Sequence, residues 1–145
     1  MHTQHRWFFL ILIGVIFAGV FVVQAPQAIA AEKSIVWDAF DVDIQVNTSG
    51  DFDVTERQSI RFLDGTFTFG YRNIPKSNFS YIDNWAITDA SGNTYAQVNS
   101  GNEPYTFVIE DTGSEYVIRW YFPATEDPET YTLQYNVHDG LRYYP

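Results

Sequence analysis

The chain has 145 residues, with 18 acids against 8 bases, no cysteine and an aromatic content of 18%. A formal charge of −10 makes nucleic acid an unfavourable partner and works against adsorption to anionic lipid headgroups. Without cysteine no disulfide can staple the fold, so the packing of large aromatic side chains must hold it.

The first element is the N-terminus. Arg6 stands in a segment free of acids, Phe8 to Val23 is an unbroken apolar run, and Ala28-Ile29-Ala30 has the small-x-small pattern of a peptidase site. These features predict a hydrophobic signal helix and signal peptide over residues 1–30, cleaved after Ala30. The rival is an uncleaved signal anchor, for which the run is short of the roughly 20 residues that a spanning helix needs. On either reading residues 31–145 form one domain, secreted or membrane-anchored outside the cytoplasm, and loss of Arg6 takes its formal charge to −11.

From residue 40 the pattern changes to strict alternation. Phe40, Val42, Ile44 and Val46 share one face, while Asp41, Asp43 and Gln45 share the other. Turn residues 47–51 ("NTSGD") then hand over to "FDVTERQSIRF", residues 52–62, which predicts a hairpin. Asp64-Gly65 marks the next turn, before "TFTFGYRNIP". "WAIT" and "TYAQV" around "DASGN" predict a second hairpin, and "YTFVIE" and "YVIRWYF" around "DTGSE" a third. In the last of these Tyr116, Ile118, Trp120 and Phe122 face inward. "PATEDPE" leads to the closing strand, with Tyr131, Leu133, Tyr135 and Val137 on its inward side.

About seven or eight short strands with regular turns predict an all-β fold, an antiparallel immunoglobulin-like β-sandwich, with a closed barrel as the alternative. The end at "HDGLRYYP" reads as the beginning of a further strand, so the chain is expected to be a fragment of a longer protein.

"FDVDIQVNTSGDFDVTERQSIRF", "GYRNIP", the strand before "DASGN" and "YTLQYNVHDGLRYY" together resemble the N-terminal domain of the predicted membrane proteins grouped as domain of unknown function 2207. The resemblance spans nearly all of residues 34–145 and is most specific at Val54-Thr55-Glu56, Tyr71 to Pro75, and Tyr131-Thr132-Leu133 with Tyr135. It implies an extracytoplasmic β-rich domain ahead of a membrane helix. It brings no activity and no catalytic residues.

Residue parity raises one structural question. On the strand of residues 52–62, Val54, Ile60 and Phe62 face inward, and so do Glu56 and Gln58. A carboxylate there is costly to bury alone. Arg72 is the expected partner, a planar two-pronged donor, with Gly70 giving the backbone freedom to turn it in and Pro75 fixing the exit. The rival is a β-bulge that lets Glu56 escape to solvent.

Chemistry is sparse elsewhere. His138 is the one histidine after residue 30 and shares the outward parity of Thr132, Gln134 and Asn136, which predicts an exposed strand-end residue and no catalytic role. Asp41, Asp43, Asp51 and Asp53, or Asp89 with Asn93, supply oxygen donors but lack the spacing of a calcium loop, so no metal and no cofactor are expected. Trp37, Tyr71, Trp85, Tyr95 and Tyr121 are the aromatics that a sandwich face would offer to a ligand. The expected role is non-enzymatic: an interaction, scaffold or ligand-sensing domain. Carbohydrate binding at the cell envelope is the alternative, and an acid-dependent hydrolase a third reading. Its partners would be an envelope protein or glycan, with the membrane reached through the signal anchor or a missing C-terminal segment.

Overall fold

The computed structural model describes residues 33–141. The signal segment and the last four residues, with the expectations placed on them, lie outside that range. Eight strands follow in order: β1 (Ser34–Val46), β2 (Phe52–Asp64), β3 (Phe67–Pro75), β4 (Tyr81–Asp89), β5 (Ala96–Gln97), β6 (Thr106–Asp111), β7 (Glu115–Thr125) and β8 (Glu129–His138). They form two four-stranded sheets, one ordered β1-β2-β8-β4 and the other β3-β7-β6-β5. The described part is therefore all-β and built as a two-layer sandwich. Among its described residues no helix is long and apolar enough to cross a membrane.

The inward set of β7 (Tyr116, Ile118, Trp120, Phe122) and that of β8 (Tyr131, Leu133, Tyr135, Val137) are buried against each other, as their alternation dictates. Aromatic rings tie the layers together. Phe122 stacks on Tyr131 with centroids 5.1 Å apart, Trp120 lies 5.5 Å from the same ring, and Phe62 stacks on Phe67 at 4.5 Å. Each such pair adds about 0.5–1.5 kcal/mol beyond its area burial. The hairpin of β6 and β7 closes through Gly113, whose φ of +88° suits glycine, while its N–H donates to Asp111 Oδ1 at 2.8 Å.

Three expectations change. The segment after "DASGN" does not return as a hairpin strand. The turn itself forms, with Asp89 Oδ1 accepting from the N–H groups of Ser91 and Asn93 at 3.0 and 2.9 Å. After a single bridge between Thr88 and Thr94 the chain crosses to the other sheet, where β5 pairs with β6 in parallel. The sandwich is thus antiparallel everywhere except at this two-residue strand.

Secondly, the apolar face of β1 is not covered. Phe40, Val42, Ile44 and Val46 remain 44–58% exposed, because β3 is the outermost strand of its sheet and β1 projects beyond it. Thirdly, a bulge occurs in β1, not in β2. The register slips between Trp37 and Ala39, so Trp37 pairs with Ile60 and Phe40 with Gln58. Ile35 and Trp37 are thereby brought to the face of Phe40, and the apolar stripe runs the whole length of the strand.

Candidate functional site

β2 presents Val54, Glu56, Gln58, Ile60 and Phe62 to the interior, and β3 crosses beneath it from the opposite sheet. The structure brings Glu56 and Arg72 together at that crossing. Glu56 is 1% exposed. Arg72 donates from Nε to Glu56 Oε2 at 2.9 Å and from Nη2 to Oε1 at 3.0 Å, a two-pronged pair. Tyr135 Oη donates to Oε1 at 2.8 Å and Gln58 Nε2 to Oε2 at 3.2 Å, so the buried carboxylate is fully hydrogen-bonded. The third prong, Arg72 Nη1, donates to the carbonyl of Asn73 at 2.7 Å. The bond to Glu56, above all, raises the Arg72 guanidinium above its ordinary value. Burial raises the Tyr135 phenol strongly, and the neighbouring Glu56 charge adds to it.

Gly70 has a different part from the one its backbone freedom suggested. It sits in regular extended backbone in register with Trp120, and a Cβ built on it would run into the indole. Glycine here makes room for a ring. The indole, in turn, is wholly buried, and its Nε1–H finds no acceptor. Gln58 Oε1 is the other buried side-chain polar atom without a partner among the described residues. An unpaired buried donor of this kind costs about 1–3 kcal/mol, and native cores hold few of them.

Trp120 forms part of the floor of a cavity of about 570 Å³ that opens between the edge strands β1 and β3. Ile60, Phe62, Phe122 and Tyr131 complete the floor, and Trp37, Phe40 and Tyr71 stand on the walls. A cation lies at each end. Arg72 stands 5.6 Å from the centre of the Phe40 ring and Lys33 Nζ 5.3 Å from that of Phe67. Lys33 also donates to the carbonyl of Thr66 at 2.6 Å, and among the described residues it has no carboxylate partner. Among the described residues no Asp, Glu or His lines this groove.

The five aromatics singled out by sequence divide. Trp37 and Tyr71 are exposed and line the groove. Tyr95 is not a surface residue: it is 4% exposed and packs edge-on to Tyr105 and Tyr131. Trp85 is packed against the core, edge-on to Tyr116 and tilted over Tyr135. Tyr121 is half-buried on the outer face of β7 beside Phe69. Sequence reasoning missed Phe40, Lys33 and Trp120 as groove residues, since no pattern in the chain tells which two sheet edges will lie side by side.

His138 is not a free strand-end side chain. It stacks on Tyr81 at 4.1 Å, and its Nε2 lies 2.9 Å from Asp83 Oδ1, with Asp51 Oδ1 3.5 Å from Nδ1. The bond to Asp83, and then the charges of Asp83, Asp51 and Asp139, raise its imidazole above the ordinary value. The acids considered for calcium do not converge. Asp41 and Asp43 lie opposite Arg57 and Thr55, Asp53 bonds Asn136, and Asp51 accepts from Ser49 and the Asp139 N–H. Among the described residues no three acidic or histidine side chains form a group able to hold a metal ion.

Two carboxylate pairs share clefts, Asp41 with Asp43 in a shallow one beside Arg57, and Asp89 with Glu129. Glu129 and Asp89 line a space of about 220 Å³, and burial first, then Asp89 and Asp127, raises the Glu129 carboxyl. Asp89, however, spends its oxygens on the turn, accepting also from Asn93 Nδ2 at 2.9 Å.

No curated protein and no solved structure matches the chain. Residues 37–145 match the family described as "Predicted membrane protein (DUF2207) N-terminal domain", and that span takes in both sheets, the buried Glu56–Arg72 pair and nearly the whole groove lining. The chain therefore belongs to the DUF2207 family, as its N-terminal domain.

Proposed function

We propose that residues 31–145 act as a non-enzymatic recognition module, an immunoglobulin-like sandwich on the extracytoplasmic side of a membrane protein, with the groove between β1 and β3 as its site. The observation that carries this reading is the Trp120 N–H, buried without an acceptor in the floor of an aromatic-walled cavity. A core that only needed filling would be better served by phenylalanine. The indole N–H is closed to solvent, so a ligand oxygen recovers the missing bond only by parting the rings packed over it, and the cavity lies within the size range of small-ligand sites. Its chemistry is that of recognition: ring faces and two cations, with no carboxylate or imidazole among the described lining residues.

The test is a titration with apolar acids, peptides and soluble glycans, watching the Trp120 indole proton by NMR and the unfolding temperature together. A binder that shifts both supports the reading. Catalytic turnover of an ester or glycoside, lost in Glu129→Gln, would overturn it in favour of the hydrolase. Glycan binding is favoured by one observation, the exposure of Trp37 at 48% on the groove wall, edge-on to Phe40. A glycan array read with Trp37→Ala tests it.

A further inference from the structure

We infer that the groove takes an extended strand of a partner protein, laid along the open edge of β3, with apolar side chains against β1 and a carboxylate at Lys33. This rests on the groove being the recognition site and names its occupant.

The geometry of the two layers is the first argument. β2 stands across from β3, where Glu56 meets Arg72, and β1 lies one strand further out. Strands in a sheet are about 4.8 Å apart, so a strand added beside β3 falls opposite β1. Its inward side chains would cover Phe40, Val42 and Ile44, which the domain itself leaves 44–54% exposed. The edge is fit for pairing. From Phe69 to Asn73 β3 runs in unbroken register with β7, with neither proline nor lysine on this stretch to blunt its free side. The Trp120 indole lies against Gly70, so its resonance reports on a strand added beside that residue.

Charge supplies the second argument. In a chain of net charge −10, the only charged side chains of the groove lining among the described residues are Lys33 and Arg72. Arg72 is neutralised by Glu56, which leaves Lys33 to receive an anion. A second copy of this chain is a poor occupant. It would bring together two bodies of like net charge. A small apolar ligand would fill the cavity yet leave Val42, Ile44 and the β3 edge open.

The experiment uses the full chain and a synthetic heptapeptide of alternating valine and threonine with a free C-terminal carboxylate. Two twins serve as controls, one amide-capped at the C-terminus and one N-methylated at alternate amides. Affinity is read by tryptophan fluorescence, and the site by amide exchange in β3 and the Trp120 indole resonance. The expected result is one peptide per chain, slowed exchange from Phe69 to Asn73, and a shifted indole signal. Capping the carboxylate, or Lys33→Glu at an exposed position, should weaken binding about tenfold. N-methylation should abolish it. Equal binding of the N-methylated peptide would overturn strand pairing, and an unchanged affinity in Lys33→Glu would overturn the placement of the carboxylate. If no peptide binds while anilinonaphthalene sulfonate moves the Trp120 signal, the recognition site stands and the strand falls. If neither probe moves it, both fall.

Discussion

Arg72→Met is the perturbation that tests the centre of the fold most directly. Glu56 is 1% exposed and takes donors from Arg72 Nε and Nη2 at 2.9 and 3.0 Å, from Tyr135 Oη at 2.8 Å and from Gln58 Nε2 at 3.2 Å. Methionine keeps the apolar stem and removes the guanidinium, leaving a buried carboxylate with two neutral donors. Breaking a fully buried pair costs about 3–5 kcal/mol. The Arg72 side chain is 34% exposed, so water already screens part of the attraction, and about 2–3 kcal/mol is expected. Glu56→Gln leaves the guanidinium near solvent and keeps an acceptor for Tyr135, for a cost of about 1–2 kcal/mol. The sign of the combination is the sharper test. In the Arg72→Met background the uncompensated charge is the problem, so adding Glu56→Gln should restore about 1–2 kcal/mol instead of costing more. Urea denaturation followed by tryptophan fluorescence measures all four proteins, with an unchanged slope as the check that the same surface unfolds. A loss below about 1 kcal/mol in Arg72→Met, or a double variant weaker than that single one, would refute the view that the buried Glu56 charge depends on Arg72.

Gly70→Ala places a methyl group in the Trp120 indole and should cost about 1–3 kcal/mol, a loss that shrinks in a Trp120→Leu background, as thermal denaturation of the single and double variants would show. For His138 the folded state raises the imidazole, chiefly through Asp83, so its contribution is fully present below the ordinary value of 6.5 and is lost as pH rises through the higher folded value. The unfolding temperature of the parent should thus fall from mildly acidic to mildly alkaline pH more than that of His138→Gln; parallel profiles would contradict the assignment. Burial raises the phenols of Tyr95, Tyr131 and Tyr135. In an alkaline titration their tyrosinate absorbance should arrive late, in one step with unfolding, and a smooth titration of all ten tyrosines would be inconsistent with it.

Strand identity was legible wherever one face of a strand is buried and the other wet. β2, β7 and β8 follow their parity residue by residue, and the same parity put Glu56 inside and raised the question of Arg72. The limits have physical causes too. β5 has two residues, too few to show a period, and the Asx chemistry of Asp89 announces a turn without saying which sheet the chain enters afterwards. Trp37 joins Phe40 only because of a one-residue bulge at Asp38, which no alternation can announce. Tyr95 looked like a surface aromatic because parity distinguishes two faces of a strand, not which face a neighbouring sheet covers. The groove was hidden for the same reason: it belongs to two edges that are neighbours in space and not in the chain.

The position of β8 governs the order in which this molecule is able to form. It lies between β2 and β4, so the first sheet is two disconnected pieces until the last strand arrives. The hairpin of β1 and β2, complete by residue 64, must wait for residues 129–138 before Tyr135 reaches Glu56 across 79 positions. A chain emerging from its N-terminus thus has nothing to commit to until nearly all of it is free. Contacts this distant in sequence make folding slow and concerted.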